Sequence, residues 1–195
     1  MTLEELMQAT GAKQSDAEKY LEPLIETMEL SQIDTPKKQA AFLATISVES
    51  ARLSAVEEGL SYSSPDRLAK IFFKVFAGDP ARAEPYAKNP AALSKILYNG
   101  YHGRGLIQLT HDYNYRACGE ALGVDFLTNP ELLTTPKYAA LSAGWFWTAN
   151  RCNKPAEEGN MEEVTRIVNG PAKMHLTERK QQYEIALTCL EANHS

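Results

Sequence analysis

The sequence predicts a mainly α-helical fold, a single domain over residues 1–195 with at most a minor short β element. Three observations carry this expectation. Capping residues followed by proline recur along the chain, apolar residues repeat at helical spacing beside them, and strand-like alternation is scarce.

From the N-terminus, Ser15 and Glu18 have the spacing of a capping box. Thr35-Pro36, Ser64-Pro65, Asn89-Pro90, Asn129-Pro130 and Thr135-Pro136 each read as a helix start. Proline at the first helical position gives up an N–H that would be unpaired anyway, and the side chain before it accepts a bond from the first turn. After Ser64, residues Leu68, Ile71, Phe72, Val75 and Phe76 form one apolar face. Near the C-terminus Tyr183, Ala186, Leu187 and Leu190 do the same, with Thr177 as the cap. The one strand candidate is 106–110, where Gln108 and Thr110 would share a face. Loops are expected at 54–64, 78–89, 99–105 and 153–160.

Composition excludes several classes. A net charge of -5 argues against a nucleic-acid binder, which needs clustered Lys and Arg for counterion release. No apolar run approaches the roughly 20 residues of a membrane span, so no membrane insertion is expected. Residues 1–11 are polar and acidic where a signal peptide is basic and then apolar. The expectation is a cytoplasmic protein that meets any cell wall only after the membrane is permeabilised. Cys118, Cys152 and Cys189 are widely spaced without a C-x-x-C pair, which reads as buried thiols rather than a zinc or disulfide framework.

Three segments hold candidate chemistry. Phe42, Ile46 and Glu49 stand at i, i+4 and i+7, which places a carboxyl group on a core-facing stripe. Desolvation there favours the neutral acid, the form that donates a proton; a glutamate at a helix end reaching solvent is the alternative. In the pair Glu57-Glu58, a helix continued from Glu49 would separate the carboxyls by roughly 13.5 Å and place them on opposite faces. The run 58–63 instead suggests that the chain folds back. Carboxylates about 6.5–9.5 Å apart leave room for one water, the inverting geometry of glycoside hydrolysis. The third segment, 101–110, has glycines on both sides of Arg104 and an amide and hydroxyl at Gln108 and Thr110. With Asn114 and Tyr115 it suits a hydroxyl-rich ligand, and equally a set of polar side chains that satisfy the backbone.

The stretches FLATISVES (42–50), EGLSYS (58–63), HGRGLIQLTHDYNY (102–115) and VNG (168–170) follow one another as in glycoside hydrolase family 19, which the chain resembles over nearly its whole length. The likeness is greatest to the small bacteriophage-type endolysins and more distant to plant chitinases. It implies a lysozyme-like, two-lobed helical fold with a central cleft. It further implies an inverting endo-glycosidase acting on the β-1,4 amino-sugar backbone of peptidoglycan, or of chitin. Glu49 then matches the general acid, Glu58 the general base, and Thr110 a hydroxyl that holds the attacking water. Tyr62, Arg104, Gln108, Asn114, Tyr115 and Asn169 match substrate-binding positions. Arg179 matches an arginine that pairs with the catalytic carboxylates, a cation that would keep Glu58 ionised while Glu49 stays protonated. No metal or organic cofactor is implied, and a monomer is expected.

The chain departs from the family pattern at three points: only Asn99 and Gly100 separate Tyr98 from Tyr101, Pro171 follows Asn169-Gly170, and His102 replaces a residue that is often aromatic or arginine. Two competing readings remain. One is a glycan-binding or effector protein of the same fold with little catalysis, favoured by the shortened loop. The other is a metal hydrolase built on His102, His111, Asp112 and His175, disfavoured because His-x-x-x-His spacing is absent.

Overall fold

The structure, a computed structural model, describes residues 1–192. Helices α1 (Leu3–Thr10), α2 (Gln14–Leu30) and α3 (Pro36–Glu49) come first, then α4 (Pro65–Ile71), α5 (Phe73–Phe76), α6 (Pro80–Ala83) and α7 (Pro90–Tyr98). They are followed by α8 (Asp112–Leu122), α9 (Pro136–Ala149), α10 (Asn153–Glu157), α11 (Met161–Asn169) and α12 (Leu176–Ala192). Short 3-10 turns occupy Glu84–Tyr86 and Pro130–Thr134.

The main core forms around α3, whose residues 40–47 are all buried. A helix apolar on every side belongs inside a protein. Its two polar exceptions are satisfied internally: Thr45 Oγ1 donates to Ala41 O (2.8 Å) and Ser47 Oγ to Thr10 O (2.7 Å). Against α3 lie α12, α1, α10 and α11, while α2 packs on α9. That last contact needs Gly144, since a Cβ there would sit 2.5 Å from both Ser31 Oγ and Thr27 Cγ2. Phe42 and Trp147 meet edge to face at 5.3 Å.

Two smaller apolar clusters stand apart from this core. Leu60, Leu68, Ala69, Phe76, Ala83 and Leu93 form the centre of a small lobe built from α4 to α7. Leu109, Tyr115, Cys118, Phe126 and Leu133 pack beneath α8. The fold is therefore mainly helical and lysozyme-like, as expected.

Local details differ from expectation for identifiable reasons. Thr35, Ser64 and Asn89 cap their helices as expected, whereas Asn129-Pro130 opens a 3-10 turn and Thr135 precedes α9 without a side-chain cap bond. Ser15 and Glu18 form no capping box: α2 begins at Gln14, whose amide takes the Glu18 carboxylate at 2.7 Å. The capping box is at Thr2 and Glu5. Thr177 lies inside the first turn of α12 rather than ahead of it. The helix after Ser64 breaks at Phe72 (ψ 51°), which leaves Ile71 exposed instead of buried. The expected loops at 78–89 and 153–160 contain α6, the Glu84–Tyr86 turn and α10.

The short β element shrinks to two single antiparallel bridges, Glu57 with Arg104 and Arg104 with Leu109. Residues 106–110 do not form a strand, because Gln108 takes a left-handed conformation (φ 57°) and its N–H returns to Gly105 O at 3.1 Å. Gln108 and Thr110 therefore do not share a strand face.

Candidate active site

Glu49 ends α3, and the chain then reverses within a few residues. Ala51, Arg52 and Leu53 all adopt positive φ (48°, 60° and 64°), a conformation unfavourable for side-chain-bearing residues. The turn is held by Arg52 N–H to Ser47 O (2.7 Å), Leu53 N–H to Ser50 Oγ (2.9 Å) and Ala55 N–H to Ser50 O (2.9 Å). This is the fold-back expected between the two glutamates. It delivers 56–58 alongside 103–105, where Gly105 N–H donates to Val56 O and Glu58 N–H to Gly103 O, both at 2.8 Å.

Glu58 is held on both oxygens. Tyr98 Oη donates to Oε1 and Gly103 N–H to Oε2, each at 3.0 Å. A Cβ at Gly103 would lie 2.9 Å from Gln108 Oε1, the end of a flexible side chain, and 3.4 Å from Glu58 Cβ. Burial, together with the negative charge of Glu58, pushes the Tyr98 phenol up to about 12, so it remains a donor at any physiological pH. Glu58 borders a cavity of about 620 Å³, whose wall includes Glu57, Ser61, Ser94, Gly100 and His102.

Glu49 does not line that cavity; its partner is Arg179, whose Nη2 lies 2.5 Å from Oε1. The Arg179 side chain is 2% exposed and that of Glu49 16%. Arg179 Nε also donates to Met174 O at 3.1 Å. Of the two carboxylates that Arg179 is expected to pair with, the guanidinium engages Glu49, while Glu58 draws its bonds from Tyr98 and Gly103.

The other expected residues divide into two groups. Gln108, Thr110, Asn114 and Asn169 are partly exposed. Their hydrogen bonds are local: Gln108 Nε2 to Gly105 O (3.0 Å), Thr110 Oγ1 to Gln108 O (2.9 Å), Asn114 Nδ2 to Thr110 O (2.9 Å), and Met174 N–H to Asn169 Oδ1 (2.7 Å). Tyr62 packs edge to face on Phe72 in the small lobe. Tyr115 is a correction, because it is fully buried and cannot touch a polysaccharide. Its hydroxyl donates to His102 O (2.5 Å) and accepts from Arg104 Nη1 (3.0 Å). Arg104 is also buried, with Nη1 on Gly100 O (3.1 Å) and Nε 3.6 Å from Glu57 Oε1. It joins the hairpin of residues 104–109, closed by the Arg104–Leu109 bridge, to the loop before it. The neighbour of Tyr115 that faces solvent is Tyr113, stacked on His111 at 5.2 Å.

Sequence reasoning missed Tyr98 as a partner of Glu58 and Gly103 as its backbone donor. It also gives no role to Glu57, which meets His102 Nε2 at 2.8 Å. The residues proposed for a metal are spread over separate contacts: His102 is engaged with Glu57 and Ser94, His111 with tyrosine rings, and His175 with Glu178. Among the described residues no group of three or more His, Cys, Asp or Glu is placed to hold a metal ion. No described helix is long and apolar enough to cross a membrane.

The fold is lysozyme-like, with the Glu58 carboxylate gripped at a cavity wall. The family described as Chitinase class I matches residues 28–171. The chain belongs to glycoside hydrolase family 19. It is 51% identical over 57 residues to Endochitinase 4 of Solanum tuberosum, a match covering 29% of this chain and 19% of that protein. The chain thus spans only about a fifth of that relative's length. Chitinase C from Streptomyces griseus HUT6037 superposes with a TM-score of 0.66 at 23% identity, over 97% of this chain and 76% of the other. A second solved structure, described as a bacterial family 19 chitinase, gives 0.67 at 22% identity over 97% and 94%.

Proposed function

We propose that this chain is an inverting glycosidase that cleaves β-1,4-linked N-acetylated amino-sugar chains, with a chitin-type polymer as its substrate. The observation that carries the proposal is the grip on Glu58, whose two oxygens both receive hydrogen bonds at the edge of a cavity. A carboxylate held as acceptor on both oxygens suits a base that takes a proton from water. Glu49 supplies the proton to the departing glycosidic oxygen. Arg179 engages its Oε1, which leaves Oε2 as the oxygen from which a proton would be delivered. Thr110 assists the water, and Gln108, Asn114 and Asn169 meet sugar hydroxyl and acetamido groups.

The relatives named above are chitinases, which favours chitin over peptidoglycan. Peptidoglycan is the second reading. It is supported by the likeness of the motifs to bacteriophage-type members.

The test compares sugar release from colloidal chitin with turbidity loss in permeabilised Gram-negative cells, using wild type and Glu49→Gln. Chitin is expected to be cut with the α-anomer as first product, and the substitution to lose roughly 10²- to 10⁴-fold in rate. Lysis of cells without chitin cleavage selects the second reading. Binding without cleavage of either polymer makes the chain a glycan-binding protein.

A further inference from the structure

The small lobe has its own apolar centre, separate from the main core, so its placement over the hairpin depends on contacts outside either one. Polar contacts from one face of α7 reach across. Ser94 Oγ lies 2.6 Å from His102 Nδ1, and Tyr98 Oη donates to Glu58 Oε1 at 3.0 Å. Ser94 and Tyr98 are four residues apart, hence neighbours on the same helix face. The opposite edge of the His102 ring completes the connection, with Nε2 2.8 Å from Glu57 Oε1. Two successive residues of one segment, Glu57 and Glu58, are thereby tied to two residues one turn apart on α7.

We infer that His102 is a positioning residue: its imidazole latches α7 to the glutamate segment through Ser94 and Glu57, and so sets Tyr98 on the carboxylate of Glu58. This rests on the glycosidase reading for its catalytic consequence, but not for the latch itself.

The chemistry of the ring fits the task. In the neutral tautomer with the proton on Nε2, that nitrogen donates to Glu57 and Nδ1 accepts the Ser94 hydroxyl proton. In the charged form Nδ1 donates to Ser94 Oγ and Nε2 still donates to Glu57, so both states preserve the connection. Arg104 Nε, 3.6 Å from the same Glu57 oxygen, steadies that carboxylate from the hairpin side. Tyr115 holds the backbone of His102 by donating to its carbonyl at 2.5 Å. The ring is thus fixed at its backbone and at both nitrogens, with 12% of its side chain exposed. An aromatic residue without ring nitrogens would fill the space and lose both bonds. Because Tyr98 contacts the carboxylate rather than a sugar, failure of the latch disturbs the chemical step more than binding.

The experiment uses the full chain with Ser94→Ala, His102→Phe, His102→Gln and the Ser94→Ala/His102→Phe double variant. It measures kcat and KM on a soluble chito-oligosaccharide, together with amide hydrogen exchange. Misplacing a catalytic group by about 1 Å costs up to roughly 10²-fold, so Ser94→Ala and His102→Phe are each expected to lower kcat by about 10- to 100-fold, with KM within about twofold. The double variant is expected to fall no further than the worse single one, because both cut the same connection. His102→Gln retains a donor for Glu57 and is expected to recover part of the loss. Exchange in 90–98 is expected to accelerate while that of α3 stays unchanged, which separates lost docking from global unfolding. Unchanged kcat in both single variants, additive losses, or a rise in KM alone would overturn the inference. If wild type cleaves no polysaccharide, the glycosidase reading fails, and exchange in 90–98 alone decides the latch: equal protection in wild type and Ser94→Ala refutes it.

Discussion

Arg179 of α12 and Glu49 at the end of α3 meet at 2.5 Å although 130 residues separate them in the chain. The pair joins two helices that pack extensively and is almost out of water. Removing one partner of such a pair leaves the other desolvated without compensation. Arg179→Ala is expected to destabilise the protein by about 3 kcal/mol, the low end for a buried pair because Glu49 retains some exposure. Urea unfolding followed by circular dichroism measures this, and an unchanged midpoint would mean that the pair contributes no net stability.

Gly103 faces both Glu58 and Gln108 at close range. In Gly103→Ala the new methyl displaces the Gln108 amide, which is flexible, and presses on Glu58 Cβ. The expected cost is about 1 kcal/mol in stability. Activity is expected to fall roughly 10-fold through kcat. Steady-state kinetics beside a thermal melt distinguishes the two effects, and an activity loss no larger than the stability loss would count against a local displacement.

Tyr98 and Tyr115 have phenols that burial pushes up to about 12 from the usual 10. Between those values the folded state holds protons that the unfolded chain has released. Their contribution is complete below pH 10 and is lost as the pH rises through about 12. Burial also raises Tyr20 and Tyr183, but less, so tyrosinate absorbance is expected to show Tyr98 and Tyr115 titrating last and stability to decline over that window. Tyr98→Phe and Tyr115→Phe should each remove one late group; two unaltered titrations would contradict the assignment.

Burial pushes the Cys118 and Cys152 thiols up to about 12, and it raises Cys189 less, which is partly exposed. Since the thiolate is the reactive form, iodoacetamide at neutral pH is expected to modify Cys189 first in the folded protein. All three should react in urea. Peptide mass mapping gives the order, and early labelling of Cys118 or Cys152 would show that those sites open.

The legible part of this fold lies where one local rule dominates. Thr35, Ser64 and Asn89 cap their helices, with the proline after each fixing the first turn, whereas the Asn129 and Thr135 side chains turn back to Asp125 O and Leu132 O instead. Ser15 was misread because Gln14 competes for Glu18 from one turn away. The strand at 106–110 was misread because five residues of alternation cannot reveal that Gln108 turns left-handed and bonds back to Gly105 through both backbone and side chain. In the site, Glu49 was visible from its helical stripe and the fold-back from the residues that follow it. The grip of Tyr98 on Glu58 spans 40 residues, and that of Arg179 on Glu49 spans 130; such meetings leave no local pattern. Tyr115 is expected at the substrate and lies in the core, because aromatic residues next to polar ones suit either place and burial decides between them.

Half of the hold on Glu58 comes from a peptide group, since the N–H of Gly103 binds its side chain while the carbonyl of the same residue accepts its amide. An amide donor survives any exchange of side chain except to proline. Substitutions around the carboxylate therefore weaken that support only by shifting the loop that carries the peptide group.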